Sequence, residues 1–213
     1  MNPAHAARLL ALLVFCFGAE AANVEALVRS PVGTPVGDAA VVIEPVSGGY
    51  PKRQRTVTIE QRDRDFIPYV SIVQTGTLVE FPNRDPFKHH IYSFSPAKTF
   101  EIKLYADKPA LPVLFDKAGE VAIGCNIHDW MEAYILVVNS AYFAKTGDDG
   151  KATIRDVPAG HYRLRVWHPR QKLEAPQREI EIGAGATATK LNLLADVAPR
   201  SSKPKPAIES GKY

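Results

Sequence analysis

Cys125, His128 and Met131 stand in the spacing C-x2-H-x2-M within Val121-Ala-Ile-Gly-Cys-Asn-Ile-His-Asp-Trp-Met131. A soft thiolate, an imidazole and a thioether so close together form a set of metal donors. Together they suit copper better than any other common ion. Sulfur is used almost nowhere else: the chain has 2 cysteines and 2 methionines, the others being Cys16 and the initiator. One cysteine and two histidines with a long axial methionine make a blue-copper electron-transfer site, so this loop is short of one histidine. His89, His90, His161 and His168 are the candidates downstream of the N-terminal segment. Neighbouring residues of a strand point to opposite faces, so only one of His89 and His90 can serve. Zinc also accepts a cysteine and two histidines, and the methionine argues for copper instead. Trp130, beside His128, either packs over the site or offers an apolar patch for a partner.

The elements that position these residues read as strands. Val121 to Gly124 is a strand that delivers Cys125 to its end, and Ala133-Tyr-Ile-Leu-Val-Val138 is an uninterrupted buried strand. A short loop between them turns Cys125, His128 and Met131 toward one interior point. Upstream, Val41-Val-Ile43, Thr56 to Glu60, Phe66 to Val73, Leu78 to Phe81 and His89 to Phe94 have β-strand character. Asn83-Arg-Asp-Pro-Phe-Lys88 is the loop before His89, and the basic run Lys52-Arg-Gln-Arg55 is a solvated loop. Downstream, Ala152 to Val157, Tyr162 to Val166, Ile180 to Ile182 and Leu191 to Leu193 continue the pattern. No window shows a 3.6-residue apolar period. Many short strands with Gly/Pro turns predict an all-β sandwich or barrel.

With 213 residues, of which 46% are hydrophobic and 23% charged, the chain can bury a proper core. A net charge of +3 is too mild for nucleic-acid binding. Arg8, an apolar run from Leu9 to Phe17 and Ala19-Glu-Ala21 read as a secretory signal peptide, residues 1–21, too short to span a bilayer. Periplasmic export follows as an expectation, with no membrane span after cleavage. Cys125 is then the one cysteine in an oxidising compartment, where burial under a metal protects the thiolate. From residue 197 on, Pro, Lys and Ser dominate, which predicts a disordered tail.

Phe81-Pro-Asn-Arg-Asp-Pro-Phe-Lys-His89 followed by Cys125-Asn-Ile-His128-Asp-Trp-Met131 resembles the cupredoxin family of plastocyanin- and amicyanin-like blue-copper proteins. The family pattern is a strand ending F-x-N, a ligand histidine, then a C-x(2–4)-H-x(2–5)-M loop. The resemblance implies a Greek-key β-sandwich over residues 56–139 holding one type 1 copper, with His89, Cys125, His128 and Met131 as ligands. It implies His128 as the edge for electron entry and a redox partner protein. The residue after the first ligand is usually an asparagine that ties the ligand loops together. Here it is His90, which, like Asn83, stands as a neighbour or alternative ligand. Cys125 is flanked by Gly124 and Asn126 rather than by histidines, unlike a multicopper oxidase, so a carrier is expected and not an enzyme. A copper-delivery protein without an electron-transfer partner is the alternative, and a sandwich that has lost its metal is a third reading.

Residues 22–55 and 140–196 carry a second resemblance. Val28-Arg-Ser-Pro-Val-Gly-Thr-Pro and Lys145-Thr-Gly-Asp-Asp-Gly-Lys-Ala-Thr-Ile-Arg-Asp-Val-Pro-Ala-Gly-His-Tyr-Arg-Leu-Arg-Val are similar to carboxypeptidase-regulatory-like (prealbumin-like) β-sandwiches. Chains of this combined kind resemble methylamine-utilisation-type proteins. The copper sandwich is then expected to be inserted into a loop of the other one. His161 and His168 become surface or edge residues, and Asp148-Asp149 a hairpin turn rather than a calcium site.

Overall fold

The computed structural model describes residues 21–53, 55–107, 109 and 111–200. Residues 1–20 of the expected signal peptide and residues 201–213 of the expected tail lie outside them, while Ala21 is described as the first residue of a strand. Among the described residues every named element is a strand. One group of strands comes from both ends of the chain: β1 (Ala21–Arg29), β2 (Ala40–Pro45), β13 (Tyr142–Lys145), β14 (Lys151–Pro158), β15 (Gly160–Trp167), β16 (Arg178–Ile182) and β17 (Ala188–Leu194). The other comes from the middle: β3 (Thr56–Thr58), β4 (Glu60–Arg62), β5 (Asp65–Ile67), β6 (Val70–Gln74), β7 (Thr77–Glu80), β8 (His89–Ser95), β9 (Lys98–Tyr105), β10 (Val113–Phe115), β11 (Gly119–Gly124) and β12 (Glu132–Val138). No sheet mixes the two groups: the orders are β14-β1-β17, β13-β2-β15-β16, β6-β12-β11-β8-β9, β10-β7-β3 and the hairpin β4-β5.

Three hydrophobic cores stack the sheets. Val24, Val28 and Ile154 of one outer sheet meet Val41, Ile43, Leu164 and Val166. Val79 and Phe115 of the opposite outer sheet meet Ile91, Val121, Ile123, Ile135 and Val137. Between the two inner sheets lie Ala40, Val42 and Trp167 on one side and Val70, Leu136 and Val138 on the other. The side-chain period of a strand is two. In β2, Val41 and Ile43 therefore enter one core while Ala40 and Val42 enter the next. In β12, Ile135 and Val137 face one way and Leu136 and Val138 the other. A strand buried on both faces needs an unbroken apolar run, which is what Val41-Val-Ile43 and Tyr134-Ile-Leu-Val-Val138 are.

Three sequence expectations change. The apolar stretch from Phe66 to Val73 is two strands broken at Pro68, β5 in a hairpin and β6 beside β12 in parallel register. His168, expected at a surface or edge, is buried with 2% exposure. Its backbone N–H donates to Gln171 Oε1 at 3.2 Å, and its ring Nδ1 accepts the Arg170 N–H at 3.1 Å. Val197 and Ala198, at the head of the stretch expected to be a tail, are tied down by a bridge to Gln171 and a 2.9 Å bond to the Arg170 carbonyl.

Candidate metal centre

Strand β11 pairs with β12 from Gly119↔Val137 to Gly124↔Glu132. The loop between them is closed by its own backbone: Met131 N–H donates to the His128 carbonyl at 2.9 Å, and Cys125 N–H to the Met131 carbonyl at 3.3 Å. This tight closure brings Cys125 and His128 to one side. Gly124, just before the cysteine, lets the Tyr92 ring come close: a Cβ there would lie 3.0 Å from the Tyr92 hydroxyl oxygen and press on it. Strand β8 approaches through Gly124↔Tyr92 and carries His89 at its start.

His89, Cys125 and His128 each offer one ligand atom, and these atoms all lie within 4.8 Å of one another. Cys125 Sγ is 3.9 Å from His89 Nδ1 and 3.7 Å from His128 Nδ1. Sulfur and nitrogen donors about 2.3 and 2.0 Å from one ion, at trigonal to tetrahedral angles, stand about 3.5–3.7 Å apart. The gap is of the size one transition-metal ion fills, and a thiolate with two imidazoles is the right chemistry for it. The three are nearly inaccessible, at 0%, 3% and 3% exposure, so solvent is kept from the donors. Met131 is buried in the same core cluster as Cys125. His90 turns the other way: its Nε2 meets Glu101 Oε1 at 2.9 Å, on the opposite face of β8 from His89.

A residue that sequence reasoning passed over fixes His89. Asp85 Oδ2 is 2.7 Å from His89 Nε2. The carboxylate accepts, so Nε2 carries a proton and Nδ1 is the ring nitrogen that faces Cys125. Such carboxylate–histidine pairs orient metal-ligating imidazoles. The signal was present as an acidic residue four positions before the histidine. Both ends of the Asn83 side chain are taken by backbone groups. Its amide donates to the Phe87 and Tyr105 carbonyls at 2.7 and 3.2 Å and its oxygen accepts the Asp85 N–H at 2.9 Å, so it shapes the loop that presents Asp85. The Phe87 ring lies against His89 and His128, 5.1 and 5.9 Å between centroids, and Trp130 lies 5.1 Å from His128. Trp130 is half-buried and its Nε1–H donates to the Arg64 carbonyl at 3.1 Å, which is packing over the site.

The electrostatics follow from these contacts. Burial alone would raise the Cys125 thiol, but the His89 hydrogen bond, the N–H groups of His90 and Ile127 and the His89 charge bring it below the ordinary thiol value. Burial alone would lower His89, and its bonds to Cys125 and Asp85, with their charges, hold it above the usual imidazole value. Asp85 is kept low against burial by His89 and by the Arg64 and Asp63 N–H groups. His128 is pushed down by burial and by the His89 and Arg64 charges. A thiol that ionises readily, beside a neutral imidazole, is a donor set ready for a cation.

A stretch of the Cu-containing nitrite reductase of Thermus scotoductus is 26% identical, with a TM-score of 0.37, covering 45% of this chain but only 25% of the reductase. The purple cupredoxin of Nitrosopumilus maritimus is 19% identical, with a TM-score of 0.35, over 38% of this chain and 99% of that one. An oxidized amicyanin variant is 15% identical, with a TM-score of 0.36, over 38% and 81%. The neighbours are cupredoxins. Residues 120–190 match the family model for polysaccharide lyase family 4, domain II, a stretch that runs from β11 to β17 and so takes strands from both groups. Among curated proteins none matches the chain. The choice of metal rests on the donor set rather than on these likenesses.

Proposed function

We propose that the protein is a one-electron carrier in which His89, Cys125 and His128, with Met131 as a weak fourth donor, would hold a single type 1 copper. The observation that carries this reading is the buried trio of ligand atoms within 4.8 Å, one thiolate and two imidazoles. Bound copper would supply a one-electron couple between Cu(I) and Cu(II). The chain's own part is to hold the donors and exclude water. Cys125 is fixed by the closed loop, His89 by Asp85, and His128 by the packing of Phe87 and Trp130. Donors that are held rigidly need little rearrangement when charge changes, which favours transfer over chemistry on a substrate.

His128 is the proposed edge for electron entry, and the partner is a redox protein that docks over it. Ile127, 47% exposed beside it, and the rim of Trp130 supply apolar contact. Periplasmic export belongs to the same reading, and no described helix is long and apolar enough to cross a membrane. The copper sandwich sits between β2 and β13 of the other sandwich in the chain, consistent with insertion into a loop, and the host sandwich is proposed to place or dock the carrier. Purified exported protein is titrated with Cu(II) and followed by visible absorption. An intense thiolate-to-copper band that bleaches reversibly on reduction, and is absent in Cys125→Ser, is expected. Colourless binding of Cu(I) with no stable Cu(II) form contradicts the carrier and indicates delivery.

A further inference from the structure

Two separate segments supply the donors, His89 at the start of β8 and the loop from Cys125 to Met131. His90, next in the chain to one donor, sends its side chain to Glu101, while its backbone N–H reaches Cys125. A third element touches both. The β4–β5 hairpin pairs Arg62↔Asp65, leaving Asp63 and Arg64 as a two-residue turn. Both have positive φ, 54° and 58°. That is the geometry of a type I′ hairpin turn, which ordinarily asks for Asn-Gly. Arginine is rare in this region, and such backbone persists where its surroundings over-determine it.

Here the surroundings are the two ligand segments. Asp63 N–H donates to Asp85 Oδ1 at 2.7 Å and Arg64 N–H to Asp85 Oδ2 at 2.9 Å. The same Oδ2 receives His89 Nε2–H at 2.7 Å. The Arg64 carbonyl accepts Trp130 Nε1–H at 3.1 Å, and the Arg64 guanidinium carbon lies 5.7 Å from the centre of the Trp130 ring. Trp130 sits between His128 and Met131 in the chain. The base of the hairpin is fastened to the Asn83 loop, with Gln61 N–H to the Pro82 carbonyl at 2.9 Å and Arg84 N–H to the Gln61 carbonyl at 2.7 Å.

We propose that the Asp63–Arg64 turn is a brace for the metal centre: its N–H groups hold Asp85 against His89 and its carbonyl holds Trp130 in the other ligand loop. Asp85, Arg64 and Trp130 are positioning residues in this scheme. The brace sets where His89 stands relative to Cys125 and His128, and so tunes the copper site from outside it. It rests on the copper reading for its purpose, and its contacts exist in the metal-free protein.

The test uses the full exported chain with and without copper. Trp130→Phe keeps an aromatic ring but removes the indole N–H that donates to Arg64, together with part of the ring that packs on His128. Asp85→Asn keeps the shape, but its amide NH2 cannot accept from the two turn N–H groups and His89 together. In metal-free protein, the Asp63 and Arg64 amides are expected to be protected from hydrogen exchange, with His89 protonated at Nε2 by 15N NMR. Asp85→Asn, with a single acceptor oxygen, is expected to lose either the protection of at least one turn amide or the Nε2 proton of His89. In copper-loaded protein, each variant is expected to shift the thiolate band and the reduction potential, Asp85→Asn to weaken copper about 10-fold or more, and the double variant to fall short of the summed single effects. Arg62→Ser, on the same hairpin, is the control that changes none of these. Unchanged band, potential and copper release in Trp130→Phe overturn the brace, as do unprotected turn amides in the wild type. Absence of any thiolate band in the wild type instead overturns the copper reading, and the metal-free measurements then still decide whether the brace exists.

Discussion

His168 makes the stability of the junction between the two sandwiches depend on pH. It follows Trp167, which fills the core between the inner sheets, and it is almost fully buried. Its Nδ1 is occupied by the Arg170 N–H, so protonation would break that bond as well as bury a charge. Burial, with the Arg170 charge and against the opposing Asp38, pushes its pKa down from 6.5 to about 4. The folded chain keeps this imidazole neutral, while the unfolded chain takes up a proton as pH falls below about 6.5. Unfolded protein then binds more protons, so stability declines as pH drops through that value and levels off near the folded pKa. Between about pH 7 and pH 5 the loss from this one group is about 2 kcal/mol, from 1.36 kcal/mol per pH unit over the open part of the window. The assay is urea denaturation of the wild type and of His168→Asn, whose side-chain oxygen can still accept the Arg170 N–H. The wild type is expected to lose about 2 kcal/mol more than the variant over that range. The comparison cancels the titrations of His89 and His128, which both chains share. Parallel curves for the two proteins refute the reasoning.

Other consequences are open to direct measurement. Gly150 has φ of 75° and a Cβ there would stand 2.5 Å from the Val28 carbonyl oxygen, so Gly150→Ala is expected to cost about 2–3 kcal/mol in urea while leaving the copper band intact; a neutral change contradicts the packing. Trp167→Ala is expected to cost about 3–5 kcal/mol, because its ring is shared by strands of both groups. A loss below about 1 kcal/mol means that the inner sheets do not depend on this contact. Since His90 faces Glu101, His90→Asn is expected to keep the thiolate band, whereas His89→Asn loses it. The reverse pattern places the ligand on His90.

That Cys125 and His128 lie close together was legible because C-x2-H-x2-M is local and β11 and β12 frame it with clear apolar runs. Strand alternation put His89 and His90 on opposite faces without choosing between them, and the choice of His89 came from the cupredoxin resemblance. The apolar runs of β2 and β12 announced burial, but not that each serves two cores at once. Which face of a run meets which sheet is decided by pairings far apart in sequence, such as Trp167↔Ala40. The β4–β5 hairpin was hidden because Gln61 to Asp65 has neither apolar alternation nor the Asn-Gly signature, and contacts to Asp85 and Trp130 stand in for turn propensity. His168 was misplaced for a related reason. A polar residue just beyond a strand reads as exposed, and it is covered by chain that returns through Arg170 and Val197.

The central claim is that one copper sits on Cys125 and two histidines. X-ray absorption at the copper edge, on protein loaded with one equivalent of Cu(II), tests it most directly. One short sulfur ligand with two imidazole nitrogens is predicted, the sulfur vanishing in Cys125→Ser and one nitrogen in His89→Asn. A shell of oxygen and nitrogen without sulfur, or a spectrum unmoved by either substitution, contradicts it.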